Sequence, residues 1–451
     1  MTSTKAFFSL AALLSALASL AALLSPPPPT PPVGTPTAES GGLRVEARRS
    51  HGFVHVDGSD VYVDVAVQLP KDTERDVRRD VSLALVLDRS GSMDGAKLAD
   101  AKRAAHRLVH LLGPGDELGL VHFGTDVEVV PRRRMDADGQ AAMDAAIDAV
   151  QASGSTNISE ALARGQALLS GAPGTRRLVL VSDGQPTAGD VTRQGLTQLA
   201  ASLHAEGVTV TALGVGADYD GPLMQGLAER GGGMYGFLTS AAQLEDILGR
   251  ELAAARSSRV RNVELTLTEL DGMSVVASPG RTLERRGPQV VLHLADLQPG
   301  AATHAWLQLR THVLDESRVP RVKATVQWFD LELDTARRAE VDVPFAVTGD
   351  TAVFEASRDE AVFADAVRAI GTVQLAAATA AFERGDDASA LSFLTNARAL
   401  FGMSADALAG ESATIDRVSD FRNSTPEERK RLSKGLEKKF LSNFGREHEG
   451  Y

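Results

Sequence analysis

The sequence predicts a doubly wound α/β domain with a mostly parallel sheet, inserted in or followed by an antiparallel β-sandwich, and a helical C-terminal region. Three observations predict it. From Val81 to about Arg256, apolar runs of strand length alternate with segments whose apolar residues recur every three or four positions, as in parallel sheets covered by helices on both faces. From Val260 to Val347 the strands follow one another without helices between them, separated by turn pairs such as Asp271-Gly272, Pro279-Gly280 and Pro299-Gly300. From Thr351 onward the spacing is helical. A chain of 451 residues is long enough for two or three such units.

The chain opens with Lys5 ahead of an uncharged Leu- and Ala-rich run, Ala6 to Leu24, and then a proline block from Pro26. A basic residue before an apolar stretch is the pattern of an export segment, and Ala16-Leu17-Ala18 offers small residues for cleavage. The run is also about as long as a bilayer-spanning helix, so residues 1–25 read equally as a signal peptide or an N-terminal anchor. Both place the remainder outside the cytoplasm, in the periplasm, on the cell surface or anchored to the membrane. Residues 26–42, dominated by Pro, Thr and Gly, read as a linker. Residues 43–80 alternate, with Val61, Val63, Val65 and Val67 opposed to Tyr62, Asp64, Ala66 and Gln68, which predicts strands with one buried face. The simplest way to pair them is with the later strands, which makes the α/β unit an insertion between two sandwich strands.

Within residues 81–256, Val81 to Leu87 is a buried-strand run, and Leu98, Ala101, Ala105, Leu108 and Leu112 share one helical face. Further strands are predicted over Glu117 to Phe123, Arg177 to Ser182 and Val208 to Val215. Helices are predicted around Gly139 to Gln151, Ser159 to Ser170, Thr192 to Glu206 and Ala241 to Arg256. Residues 258–348 form the sandwich. Residues 351–448 are helical: a hairpin broken at Gly385-Asp386-Asp387, resembling half a tetratricopeptide unit, then a basic helix opened by Thr425, Pro426 and Glu428 as N-cap, first-turn proline and capping-box glutamate. Its lysines read as a solvated face.

The 47 Lys and Arg stand against 59 Asp and Glu, a net charge of -12, which disfavours nucleic acid as a partner. With no cysteine, disulfides, thiolate metal sites and cysteine nucleophiles are excluded. There is no Gly-x-Ser-x-Gly elbow, P-loop or His-Glu-x-x-His; His51 and His55 lack a third zinc ligand; and Gly214-Val215-Gly216, followed by Asp218 and Asp220, is a turn rather than a phosphate cradle. No catalytic residue is assigned, and the chain reads as a non-enzyme.

The chemistry concentrates where the strand Val81 to Leu87 ends in Asp88-Arg89-Ser90-Gly91-Ser92. A carboxylate and two hydroxyls then lie at the carboxyl edge of an open α/β sheet, where ligands bind. Gly91 lets the loop curl so that alternate side chains converge, and oxygen donors of this kind suit a hard divalent cation.

Asp-x-Ser-x-Ser in this place resembles the metal-ion-dependent adhesion site of von Willebrand factor A (VWA) domains. Gly154-Ser155-Thr156-Asn157 resembles that family's threonine loop, and Val179 to Gly184 its aspartate loop. The resemblance implies five metal ligands, Asp88, Ser90, Ser92, Thr156 and Asp183, holding Mg²⁺, with Mn²⁺ and Ca²⁺ as alternatives. It also implies a protein or glycan partner whose carboxylate completes the coordination, and a last helix, Ala241 to Arg256, whose shift could pass to the sandwich it joins. The order of segments resembles bacterial exported VWA proteins labelled chloride-channel-like, but no second membrane-spanning run is evident, which argues against a pore. The alternative reading is an envelope scaffold or regulatory subunit with no adhesion role.

Overall fold

The computed structural model describes residues 32, 34–71, 79–183, 185–215, 219–238, 241–312, 315 and 317–444. The expected export segment at residues 1–25 and the first part of the Pro-rich linker, residues 26–31 with residue 33, lie outside them. One part of the linker is corrected: Thr37–Ser40 is a strand, β1, pairing antiparallel with β2 (Leu43–Arg49). The prolines end before Thr37, which leaves every backbone N–H of that stretch able to join the ladder.

After β2, the short β3 (Phe53–His55) and β4 (Asp60–Gln68) lead into the α/β unit. That unit runs β5 (Val81–Asp88), α1 (Ala96–Leu111), β6 (Glu117–Phe123), β7 (Val127–Arg134), α2 (Ala137–Ala149), α3 (Ile158–Leu169), β8 (Thr175–Ser182), α4 (Arg193–Ala205), β9 (Val208–Val215), α5 (Gly221–Arg230), β10 (Gly232–Leu238) and α6 (Ala241–Ser257). Its sheet has the order β10-β9-β8-β5-β6-β7, with only β7 antiparallel. Alternate residues of β5 enter two cores: Leu83, Leu85 and Leu87 pack with α1 and α6, while Ala84 and Val86 pack with α3 and α4. Burial on both faces is why β5 reads as unbroken apolar sequence.

The chain then forms β11 (Val260–Leu270), β12 (Met273–Ala277), β13 (Glu284–Arg286), β14 (Gln289–Leu294), β15 (Ala302–Thr311), β16 (Arg321–Asp330), β17 (Thr335–Pro344) and β18 (Ala346–Thr348). Two five-stranded sheets, β1-β2-β4-β15-β12 and β13-β14-β11-β16-β17, share one core of Val45, Val63, Val65, Leu265, Leu292, Val326 and their neighbours. Because β4 pairs with β15 along its whole length, the α/β unit leaves the sandwich after β4 and returns at β11.

The outer face of β4 is covered rather than solvated. Helices α7 (Thr351–Ala356), α8 (Glu360–Glu383), α9 (Asp387–Gly402), α10 (Ser412–Ser419) and α11 (Pro426–Asn443) form a third unit, which packs Phe363 against Tyr62 and buries Trp306 of β15. Asp64 is thereby fully buried, and Arg48 (2.7 Å) and His304 (3.0 Å) reach it across the sheet. Helix α8 is long and apolar enough to cross a membrane, which corrects the reading that no second such run exists. Its apolar residues are spent on the protein core: Val362, Val367, Leu375 and Phe382 are buried among α9, α11 and β15. The capping box of α11 is formed, with Thr425 Oγ1 accepting from Glu428 N–H and Glu428 accepting from Thr425 N–H at 2.9 Å.

Candidate metal and ligand site

Strand β5 lies between β8 and β6, the point where the strand order reverses and a crevice opens at the carboxyl edge. Three loops meet there. The first follows Asp88 through a 3₁₀ turn, Gly91–Met93, and is pinned at its base by Met93, fully buried under α1. The second is the Ser153–Asn157 loop before α3. Gly91 N–H donates to Gly154 O (3.1 Å), Ser153 N–H donates to Arg89 O (2.7 Å), and the Arg89 guanidinium reaches Ser153 and Glu128, so the two loops are bonded to each other through backbone and side chain. The third follows β8. Thr156 O accepts from Thr187 N–H at 2.9 Å, and Thr156 N–H donates to Thr187 Oγ1 at 2.9 Å.

Four of the five predicted residues are joined by side-chain hydrogen bonds. Asp88 Oδ1 accepts from Ser90 N–H at 2.8 Å; the Ser90 and Ser92 hydroxyls lie 3.1 Å apart; and Ser92 donates to Asp183 Oδ1 at 2.8 Å. Asp88, Ser90 and Asp183 are buried and Ser92 is exposed, so the set leads from the sheet edge to solvent. Thr156, also buried, joins them through its loop rather than through a side-chain contact. Burial pushes the Asp88 carboxyl above its ordinary range, the bonds from Ser182 and Ser90 pull it down, and the Asp183 charge pushes it up.

Among the described residues no three His, Cys, Asp or Glu side chains cluster as a metal centre. A cation here would therefore rely on two carboxylates with three hydroxyls, a hard oxygen set that fits Mg²⁺, Mn²⁺ or Ca²⁺ and not a soft metal. Sequence reasoning missed two further participants. Ser182 faces the same side of the sheet as Asp88 in the next strand and donates to Asp88 Oδ2. Lys97, in the first turn of α1, donates to Asp183 Oδ2. Period-two alternation in β8 signals the first; only the helix start after Gly95 hints at the second.

Residues 82–250 match the family model of the von Willebrand factor type A domain. The α/β unit is a VWA domain. Inter-alpha-trypsin inhibitor heavy chain H2 of Sus scrofa is 30% identical over 178 residues, 36% of this chain and 19% of that protein. The E3 ubiquitin-protein ligase WAV3 of Arabidopsis thaliana is 28% identical over 356 residues, 74% of this chain and 44% of that protein. The chain thus spans about a fifth of the first relative's length and under half of the second's. A solved von Willebrand factor type A structure from Catenulispora acidiphila shares the fold at a TM-score of 0.65 and 18% identity, covering 85% of this chain and 91% of that one. VWA domains serve protein–protein interaction or adhesion, and that is the class of function the comparisons support here.

The opposite edge of the VWA sheet abuts the sandwich. Arg177 lies 3.4 Å from Glu251 and 3.8 Å from Asp296, and donates to Ser258 Oγ at 2.6 Å. Asp296 also accepts from Thr209 Oγ1 (2.6 Å) and Asn262 N–H (3.1 Å). Helix α6 is therefore tied through Glu251 and Arg177 to the first sandwich strands. The weaker motifs have structural explanations. His51 stacks on Phe354 at 4.5 Å, and burial pushes its imidazole down to about 4. At Gly214 a Cβ would come within 2.4 Å of the Tyr219 ring, so ring packing and not phosphate accounts for that glycine.

Proposed function

We propose that the chain is an extracytoplasmic binding protein that captures a carboxylate-bearing protein or glycan through a divalent cation at the carboxyl edge of its VWA domain. The observation that carries this reading is the hydrogen-bonded run from buried Asp88 through Ser90 and exposed Ser92 to Asp183, braced by the Gly91–Gly154 bond. Asp88 and Asp183 would supply charge, Ser90, Ser92 and Thr156 neutral oxygens. When bound, the cation supplies an open Lewis-acidic position that a partner carboxylate fills. Arg89, held by Glu128 and Ser153, keeps the first two loops in register. Export rests on the N-terminal sequence, and accessibility of the chain to protease in intact cells tests it.

The binding test is capture from cell-envelope extract by the full chain and by Asp88→Ala, each with Mg²⁺ and with chelator. Capture that needs both Asp88 and Mg²⁺ is the expected result. Equal capture in all four arms would overturn the metal-bridged reading.

A further inference from the structure

The metal site carries a cation of its own. The Lys97 ammonium donates to Asp183 Oδ2, while Ser92 holds Asp183 Oδ1 at 2.8 Å, so both oxygens of this carboxylate are engaged within the chain. The Asp183 side chain is fully buried, whereas that of Lys97 is one-third exposed. Lys97 reaches inward from the rim.

Its position does not serve its helix. A positive charge in the first turn of α1 lies at the positive end of the helix dipole, and Gly95 offers no side-chain cap there to offset it. The contact with Asp183 is what this placement achieves. Arg89 takes no part in the balance, because Glu128 already pairs with it at 2.9 Å.

Counting charges, Asp88 and Asp183 against Lys97 leave the site at net −1. A divalent cation would bring it to +1. Without Lys97 the same residues would carry −2 and become neutral on loading. A site that is positive when loaded favours one additional carboxylate, and one that is neutral does not.

We propose that Lys97 is a built-in counter-ion that weakens binding of the bare divalent cation and makes metal uptake depend on the arriving carboxylate. This rests on the metal-site reading above. By linkage, a carboxylate that tightens the metal is itself held more tightly by the metal, to the same factor. The partner's carboxylate then completes the site's charge as well as its coordination. A site built in this way stays largely unloaded until a ligand is present.

The test is calorimetric titration of the full chain with Mn²⁺, alone and in excess acetate as the carboxylate probe, for wild type, Lys97→Met, Lys97→Gln, Lys97→Arg and Asp88→Ala. Wild type should bind Mn²⁺ more tightly in acetate. Lys97→Met should bind Mn²⁺ alone on the order of tenfold more tightly and lose most of the acetate effect, within the usual span of coupling between sites. Lys97→Arg, which keeps the charge, should behave like wild type. Lys97→Gln, which keeps a hydrogen-bond donor without the charge, should follow Lys97→Met and covers the case in which Met at this position does not fold. Mn²⁺ binding that is lost in Asp88→Ala but unchanged or weaker in both neutral Lys97 variants overturns the counter-ion and leaves the metal site standing. Absence of Mn²⁺ binding in wild type overturns both.

Discussion

The two edges of the VWA sheet bury the same kind of side chain and treat it in opposite ways. At the lower edge Glu251 and Asp296 share Arg177, Arg261 adds its charge beside Asp296, and Asp116 faces Arg256, so the carboxylates there are matched by cations. At the upper edge Lys97 pairs with Asp183, Asp88 has no ion pair among the described residues, and the remaining demand for donors is met by hydroxyls and backbone N–H groups. Neutralised charge makes a joint; uncompensated charge is what the proposed ligand site rests on. The difference lies in the partners and not in the carboxylates.

Stability measurements should separate the two edges most clearly. Arg177→Met leaves Glu251 and Asp296 buried without their shared cation and is expected to cost about 3–5 kcal/mol in urea denaturation, because removing one member of a buried ionic group strands the others. Asp88→Asn removes one of two neighbouring like charges at nearly constant volume, and its effect on folding should stay within about 1 kcal/mol. Metal binding, by contrast, should be lost in Asp88→Asn. If both variants unfold alike, the upper edge is a second joint and the comparison fails.

Acid should reach the lower edge first. His204, packed there beside Asp296, His293, Arg177 and Arg261, is held below its ordinary pKa by burial. The unfolded chain then binds a proton that the folded chain refuses, so this contribution to stability is fully present above about pH 6.5 and is lost as pH falls below it toward the lowered value. Thermal melts across that interval should fall for wild type, and less steeply for His204→Gln. Equal slopes would show that other buried histidines carry the effect.

Much of the upper edge was legible in the sequence because its signals are local. Asp88, Ser90 and Ser92 lie in one loop, the strand that brings Asp183 beside it announces itself by an apolar run, and Thr156 lies just before a helix with a clear apolar period. The lower edge was not legible, because its partners are far apart in the chain. Arg177 reads as the charged start of a strand, and nothing near it in sequence points to Glu251 or Asp296. Asp64 is hidden for the same reason: alternation in β4 puts it on the polar face, and only the packing of α8 buries that face. Strand β7 escaped notice because Pro131 and three consecutive arginines follow Val130, residues that suit only an exposed antiparallel edge. Helix α5 escaped as well. Its signal, Asp220 as N-cap to Leu223 with a first-turn proline, lay within a turn that was read only for what it could not bind.

The smallest expected effect tests whether the upper edge is held by its helix caps. Asn157 ends the threonine loop and caps α3, its side chain accepting from Glu160 N–H at 3.2 Å and from Ser159 Oγ at 3.1 Å. Asp136 caps α2 in the same manner, accepting from Gly139 N–H at 2.9 Å, and its bonds do not reach the three loops of the site. Replacing either by Ala should cost about 1 kcal/mol of stability, the usual worth of an N-cap. Only Asn157→Ala should also weaken Mn²⁺ binding, by a few-fold, because freeing the first turn of α3 loosens the backbone that sets Thr156. The two variants thus match in stability and differ in affinity. If Asp136→Ala weakens Mn²⁺ as much as Asn157→Ala does, the site depends on the rigidity of the whole VWA domain rather than on the loop that Asn157 holds.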